Sequence, residues 1–83
     1  MKSIKYDSSH EELIDKKGKH LLSRISSKDN KAIIQSALDF SVRMHEGQKR
    51  KSGLPYVSHC IDVANILLDW NMDYTTIISA LLH

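Results

Sequence analysis

Residues 45–59 read HEGQKRKSGLPYVSH and separate two segments that both have the apolar period of a helix. The stretch contains a cluster of cations, two of the three glycines, the only proline and two histidines. This density of turn-forming residues predicts a loop. A solvated connector is the simpler interpretation, because most charge clusters are exposed surface, and a binding loop is the alternative. The placement of His59 at the start of the next apolar segment, and of His83 at the last position of the sequence, favours binding.

The segment before the loop predicts a helix over residues 28–46, which Gly47 would end in a left-handed conformation. A weaker leading helix is predicted from His10, and Gly18 in its middle is expected to break it, since glycine costs up to about 1 kcal/mol in a helix interior. Four apolar residues of the 28–46 helix recur at steps of four, three and four. They predict its buried stripe as Ile33, Ala37, Phe40 and Met44, which Ile34, Leu38 and Val42 widen.

The segment after the loop predicts a helix from residue 55 or 56 to about 69, and Asp73 is the predicted N-cap of a last helix. The 55–69 segment carries two apolar stripes, one of which begins at His59 and continues through Val63, Ile66 and Trp70. A helix that is apolar on two sides is expected to be central, with neighbours on both faces. His59 is therefore predicted on a buried face, beside the cationic loop.

Length and composition narrow the functional classes. Eighty-three residues form one small domain, and a net charge of +2 is too weak to argue for DNA or RNA. One cysteine excludes an internal disulfide and a cysteine zinc cluster. No apolar run approaches the roughly 20 residues that span a bilayer, and the first residues lack an apolar signal core. We expect a cytoplasmic protein with no membrane partner.

His59 and His83 lie on different predicted helices and could converge on one metal ion. Catalytic metal sites generally use three or more protein ligands, and no spacing in this sequence positions the missing ones. On the residues alone, a metal site and an ordinary packing role for these histidines both stay open.

A longer pattern includes these residues. The segment AxxFSxxMHxGQxRKSGxPYxxHxxxVAxIL, from Ala37 to Leu67, is followed by DxxTIxxALLH, from Asp73 to His83. Together they resemble the start of the HD-type hydrolase domain of the Rel/SpoT stringent-response enzymes, which synthesise and hydrolyse guanosine tetraphosphate. The resemblance covers roughly residues 30–83.

The resemblance implies an all-α fold, here the N-terminal helices of an incomplete HD-type bundle. Residues 1–27 would form a polar segment and leading helix, and residues 28–83 a truncated HD hydrolase domain. It also implies Mn2+-dependent removal of the 3'-pyrophosphate from guanosine tetra- or pentaphosphate. His59 and His83 match metal ligands, and Arg50 and Lys51 match residues that hold the nucleotide.

The sequence also departs from the family pattern. The aspartate of the HD pair, a following Glu-Asp pair and a later aspartate ligand are absent, so no catalytic acid or base is present. Leu54 and Cys60 replace the usual Glu and Pro. The resemblance therefore leaves enzyme activity uncertain and predicts a hydrolase fragment that is inactive alone unless a downstream fragment complements it. The alternative is a non-catalytic remnant that binds a nucleotide or a partner, including a second copy of itself.

Overall fold

The computed structural model describes residues 6–82, and those residues form four helices and no strand. The helices are α1 (Ser8–Ser23), α2 (Lys28–Met44), α3 (Tyr56–Asp69) and α4 (Tyr74–Leu82). The all-α prediction is confirmed, and none of the helices in this range is long and apolar enough to cross a membrane. Metal-ligand candidate His83 lies outside the described residues.

The helix ends follow local chemistry. Ser27 caps the start of α2 by accepting a hydrogen bond from the backbone N–H of Asn30. Asn71 directly follows the C-cap of α3 and has a φ of +58°, so it ends that helix in the left-handed region. Gly47 has a φ of +83° in the turn after α2, two residues beyond the C-cap His45. Asp73 caps α4 through Thr76. Helix α2 ends at Met44, two residues before the predicted boundary.

One apolar core joins all four helices. Helix α1 packs on α2 and α3, and α4 packs on α2 and α3. Two ion pairs connect α1 and its C-cap to α3: Lys17 with Asp62, and Arg24 with Asp69. The core consists of eleven buried apolar residues: Ile14, Leu21, Ile25, Ile34, Ala37, Leu38, Val57, Ile61, Ala64, Ile77 and Leu81.

The prediction that Gly18 breaks the leading helix was wrong. Helix α1 runs through Gly18 without interruption, and Gly18 is buried. A Cβ atom at this position would lie 3.0 Å from Cδ2 of Leu38 on α2. Glycine is therefore present because two helices approach each other closely here, and the tertiary contact offsets its low helix propensity.

The predicted core stripe of α2 was also wrong in part. Ala37 is buried, but Ile33 is 52% exposed, Phe40 51% and Met44 42%. The burial of Ile34 and Leu38, which were predicted to widen the stripe, is confirmed, and the buried face is centred on their side of the helix: Ile34, Ala37, Leu38, Ser41 and His45. Both stripes have helical spacing and lie about 100° apart around the axis. Packing against α1, α3 and α4, rather than periodicity, selects which one is covered.

The expectation that α3 is covered on both faces was wrong for the stripe that begins at His59. Val57, Ile61 and Ala64 on the other face are fully buried. Ile66 and Trp70 are 45% and 69% exposed, and His59 is half-buried. Within residues 6–82, the stripe that begins at His59 is therefore covered in part near its start and exposed at Ile66 and Trp70.

Candidate functional site

The loop between α2 and α3 has a defined backbone conformation. The amide of Tyr56 donates to the carbonyl of Gln48 at 2.8 Å and closes the base of the loop. Above that base, the amide of Arg50 donates to Leu54 at 2.9 Å and the amide of Gly53 donates to Arg50 at 2.8 Å. Gly53 has a φ of +92°, which only glycine adopts at little cost. We call residues 48–55 the basic loop.

The cations of the basic loop are free to bind an anion. Lys49, Arg50 and Lys51 are exposed. Within residues 6–82, none of the three forms an ion pair or a side-chain hydrogen bond. The backbone bonds hold Arg50 through both its N–H and its C=O. A guanidinium and an ammonium on a fixed loop are suited to phosphate and to a planar base.

His59 lies in the first turn of α3, one turn beyond the base of the basic loop. Its ring packs on that of Tyr56, with centroids 5.8 Å apart and planes inclined by 59°. No hydrogen bond joins His59 to another described residue, and its nitrogens are not among the buried atoms without partners. One imidazole nitrogen is thus available to a divalent metal of the first transition row.

The described residues do not complete a metal centre. Residues 6–82 contain no group of three or more His, Cys, Asp or Glu side chains that could hold an ion. His83, the second predicted ligand, lies outside that range. A single imidazole is below the three ligands of a catalytic site, so no reaction step is assigned to a metal here.

A buried histidine that was not among the predicted site residues lies next to Tyr56. His45, the C-cap of α2, is only 7% exposed. Its Nδ1 atom is hydrogen-bonded to Oε1 of Gln48, and its ring centroid lies 4.9 Å from that of Tyr56. Tyr56 therefore lies between His45 and His59. No periodic signal identifies such a residue, because the contact spans a helix end and a loop.

A small cleft opens where the start of α1 meets the basic loop. It has a volume of about 210 Å³. The backbone N–H of His10 and the hydroxyl of Ser9 lower the pKa of the Asp7 carboxyl at its edge. None of the predicted site residues lines it; the lining residues are Tyr6, Asp7, His10, Gly47, Gln48, Lys49 and Pro55.

Cys60, which follows His59, has no chemical role in this arrangement. The side chain is 3% exposed, and burial raises the pKa of its thiol. A buried, protonated thiol is neither a good nucleophile nor a good metal ligand. It belongs to the packing of α3.

The region that contains the basic loop and His59 is similar to known proteins. A family model described as HD domain matches residues 37–83, a range that contains the basic loop and His59. A probable GTP pyrophosphokinase of Mycobacterium leprae is 46% identical over 56 residues, which are 68% of this chain and 7% of that protein. No solved structure matches the chain at a significant level.

Two further relatives have related descriptions. The bifunctional (p)ppGpp synthase/hydrolase RelA of Mycobacterium tuberculosis is 44% identical over 59 residues, 71% of this chain and 8% of that protein. The GTP pyrophosphokinase rsh of Brucella melitensis is 46% identical over 54 residues, 65% of this chain and 7% of that protein. The chain thus spans 7% or 8% of the length of these relatives.

Proposed function

The chain belongs to the HD domain family, with the Rel and Rsh stringent-response proteins as its relatives, and from this we propose that it forms the nucleotide-facing part of a guanosine tetraphosphate 3'-pyrophosphohydrolase domain. In this proposal Arg50 and Lys51 hold guanosine tetra- or pentaphosphate. His59 and His83 are the ligands that this chain contributes to a Mn2+ ion.

The observation that carries the proposal is the basic loop. Its cations are exposed and unpaired among the described residues, while its backbone is fixed by hydrogen bonds. A flexible cationic segment would lose conformational entropy on binding a nucleotide, and a fixed one loses less. The loop ends at Tyr56, three residues before His59, so a bound polyphosphate and the proposed metal ligand lie at the same end of α3.

We expect the 83-residue chain by itself to bind the nucleotide without hydrolysing it. A divalent ion would supply an activated water for attack on the pyrophosphate. The described part of the chain contributes one imidazole toward that ion and no cluster of carboxylates. Hydrolysis therefore requires metal ligands in addition to those that residues 6–82 contribute.

Calorimetric titration with guanosine tetraphosphate tests the binding step. Arg50→Ala and Lys51→Ala are each expected to weaken binding about tenfold or more, because a charge-assisted hydrogen bond contributes roughly 1.5–3 kcal/mol. Lys31→Ala, which removes an exposed cation from α2, is the matched control and should leave the affinity unchanged. Equal losses in all three variants, or no binding by a folded sample, would contradict the proposal.

The catalytic step needs a separate assay. Release of pyrophosphate is measured with Mn2+, with and without a downstream fragment of a relative that supplies the aspartate ligands. We expect release only in the mixture, and its loss in His59→Ala. If nucleotide binding is normal but no pyrophosphate is released at any ratio, the chain is a nucleotide-binding module. The hypothesis that two fragments together form the hydrolase would then be wrong.

A second candidate function is binding to a protein partner or to another copy of the chain. Its support is the exposed apolar surface: Ile33, Phe40 and Met44 share one face of α2, while Ile66 and Trp70 lie on the outward side of α3. Exposed apolar groups of this kind often mark interaction sites. The two candidates are compatible, because a complementing segment would have to cover the His59 side of α3 to complete the metal site.

A further inference from the structure

We propose that His45 is a positioning residue, which holds Tyr56 in place and through it the ring of His59. The proposal rests on the proposed function, in which His59 binds the metal ion. It assigns a role to a buried histidine that neither the helix pattern nor the predicted ligand set includes.

The first support is the hydrogen bonding around Gln48. Its side-chain Oε1 contacts Nδ1 of His45. Its backbone N–H donates to the backbone carbonyl of His45 at 3.0 Å, and its backbone carbonyl accepts from the backbone N–H of Tyr56 at 2.8 Å. Because a carbonyl oxygen only accepts, Nδ1 of His45 is the donor. Gln48 thus connects the end of α2 to the first residue of α3.

The second support is the sequence of ring contacts. The His45 and Tyr56 centroids are 4.9 Å apart, and the Tyr56 and His59 centroids are 5.8 Å apart. Residues three apart are neighbours on a helix surface, so Tyr56 and His59 are adjacent side chains of α3. A shift of the His45 ring would remove the surface against which Tyr56 rests and would widen the range of orientations open to His59.

The third support is that a histidine at position 45 reduces the stability of the fold. Nε2 of His45 is buried and has no hydrogen-bond partner among the described residues. An unsatisfied buried nitrogen reduces stability, whereas a phenylalanine of similar shape would fill the same space without that cost. What imidazole adds is the Nδ1–H bond that fixes the plane of the ring relative to Gln48.

The orientation of the His59 ring in the metal-free chain is the primary test. NMR couplings that report its χ1 angle, and the ring-proton shifts caused by Tyr56, are measured in wild type and in variants. His45→Phe keeps a ring but removes the donor, and Gln48→Met removes the acceptor at an exposed position, so both variants are first checked for folding. In both variants we expect the His59 side chain to sample several χ1 rotamers, so that its couplings become averaged. The chemical shifts of its ring protons should move toward those of a free histidine.

Controls separate positioning from general destabilisation. His20→Phe replaces an exposed histidine in the last turn of α1 and should leave the His59 signals unchanged. His45→Asn, whose amide can still donate toward Gln48, should retain more of the wild-type coupling at Gln48 than His45→Phe does. Unaltered His59 signals in folded Gln48→Met and His45→Phe would overturn the proposal.

Mn2+ titration distinguishes this proposal from the proposed function. Paramagnetic broadening of the His59 ring signals by Mn2+ reports metal contact. We expect Gln48→Met to weaken the apparent affinity by up to about tenfold, as residues that orient a metal ligand do. If wild type shows no broadening, the metal-ligand role fails, while the metal-free couplings still decide whether His45 positions His59.

Discussion

Gly18 on α1 lies so close to Leu38 on α2 that a Cβ atom on the glycine would be 3.0 Å from Cδ2 of the leucine. Leu38 is 5% exposed and belongs to the shared core. The contact brings the leading helix onto α2, the helix that ends at His45. Leu38 lies about two turns before the end of α2, in the half of the helix that leads into the basic loop.

Replacement of this glycine tests the close approach. Gly18→Ala gains up to about 1 kcal/mol of helix propensity but adds a methyl group to a tight contact, which typically costs 1–3 kcal/mol. We expect a net loss of about 1 kcal/mol in urea unfolding. In a Leu38→Ala background the same change should be stabilising, because the contact is gone. A stability gain in the wild-type background would contradict this prediction and show that the Leu38 side chain can move away from the added methyl group.

Local chemistry made the helix boundaries predictable. Asp73 was expected to cap α4, and it does. Gly47 was expected to end α2 in a left-handed conformation; it has that conformation, but two residues beyond His45, the C-cap of α2. The basic loop was predictable for the same reason, since turn-forming residues act within a few positions of themselves. These features depend on neighbours in sequence and need no knowledge of tertiary contacts.

Contacts between helices were not predictable in this way. Ile33 and Ile34 belong to adjacent stripes of equal period, and only packing against the other helices decides that Ile34 is buried. The role of Gly18 depends on Leu38, twenty positions away. The contacts of His45 depend on a loop that folds back. The binding roles of Arg50, Lys51, His59 and His83 stay predictions.

Tyr6 gives a prediction that depends on pH. Its hydroxyl donates to the carbonyl of Val42 near the end of α2 at 2.8 Å. We expect Tyr6→Phe to lose about 1 kcal/mol at neutral pH, the usual net value of one hydrogen bond. Tyr74→Phe is the control, since the structure shows no hydrogen bond from the hydroxyl of Tyr74 to another described residue.

The alkaline range tests the same contact. Burial, followed by the charge of Glu46, raises the pKa of Tyr6 above its ordinary value of 10.0. The folded state therefore holds this proton more tightly than the unfolded state. The stabilisation is complete below pH 10.0 and declines as the pH rises through the folded-state pKa. The difference between wild type and Tyr6→Phe should shrink there; a constant difference would exclude this contact.

Asp73 gives the opposite pH dependence. Hydrogen bonds from the hydroxyl and then the backbone N–H of Thr76 lower the pKa of its carboxyl below the ordinary 3.8. The folded state binds this proton more weakly, so the cap stabilises above that value and is lost as the pH falls through the folded-state pKa. We expect Asp73→Ala to lower the unfolding temperature at pH 7, with a smaller effect in acid.

Asp73→Asn is the matched variant for this experiment, because its amide oxygen can still cap α4 but does not titrate. The difference in unfolding temperature between Asp73→Asn and Asp73→Ala should change little with pH. If wild type and Asp73→Asn respond to acid in the same way, the carboxylate is not the source of the pH dependence.

The exposed apolar face of α2 gives the prediction that bears on partner binding. Phe40, 51% exposed, lies between Ile33 and Met44 on this face. Because the side chain is half in solvent, Phe40→Gln should lower the free energy of unfolding by only about 1 kcal/mol, so the variant stays folded. If the face binds another copy of the chain, the mass from sedimentation should rise with concentration for wild type and stay near 9.5 kDa for the variant. Ala32→Gln, on an exposed position of the same helix, is the control and should behave as wild type.

The same pair of variants separates self-association from binding to a different partner. A dye that fluoresces on exposed apolar surface should bind wild type and Ala32→Gln equally and Phe40→Gln less. Dye binding by a wild-type monomer would assign the face to another polypeptide, because the surface is then open in the isolated chain. If wild type is a monomer and does not bind the dye, the half-exposed side chains do not form a continuous apolar patch. Binding to a partner through this face, the second candidate function, would then be excluded.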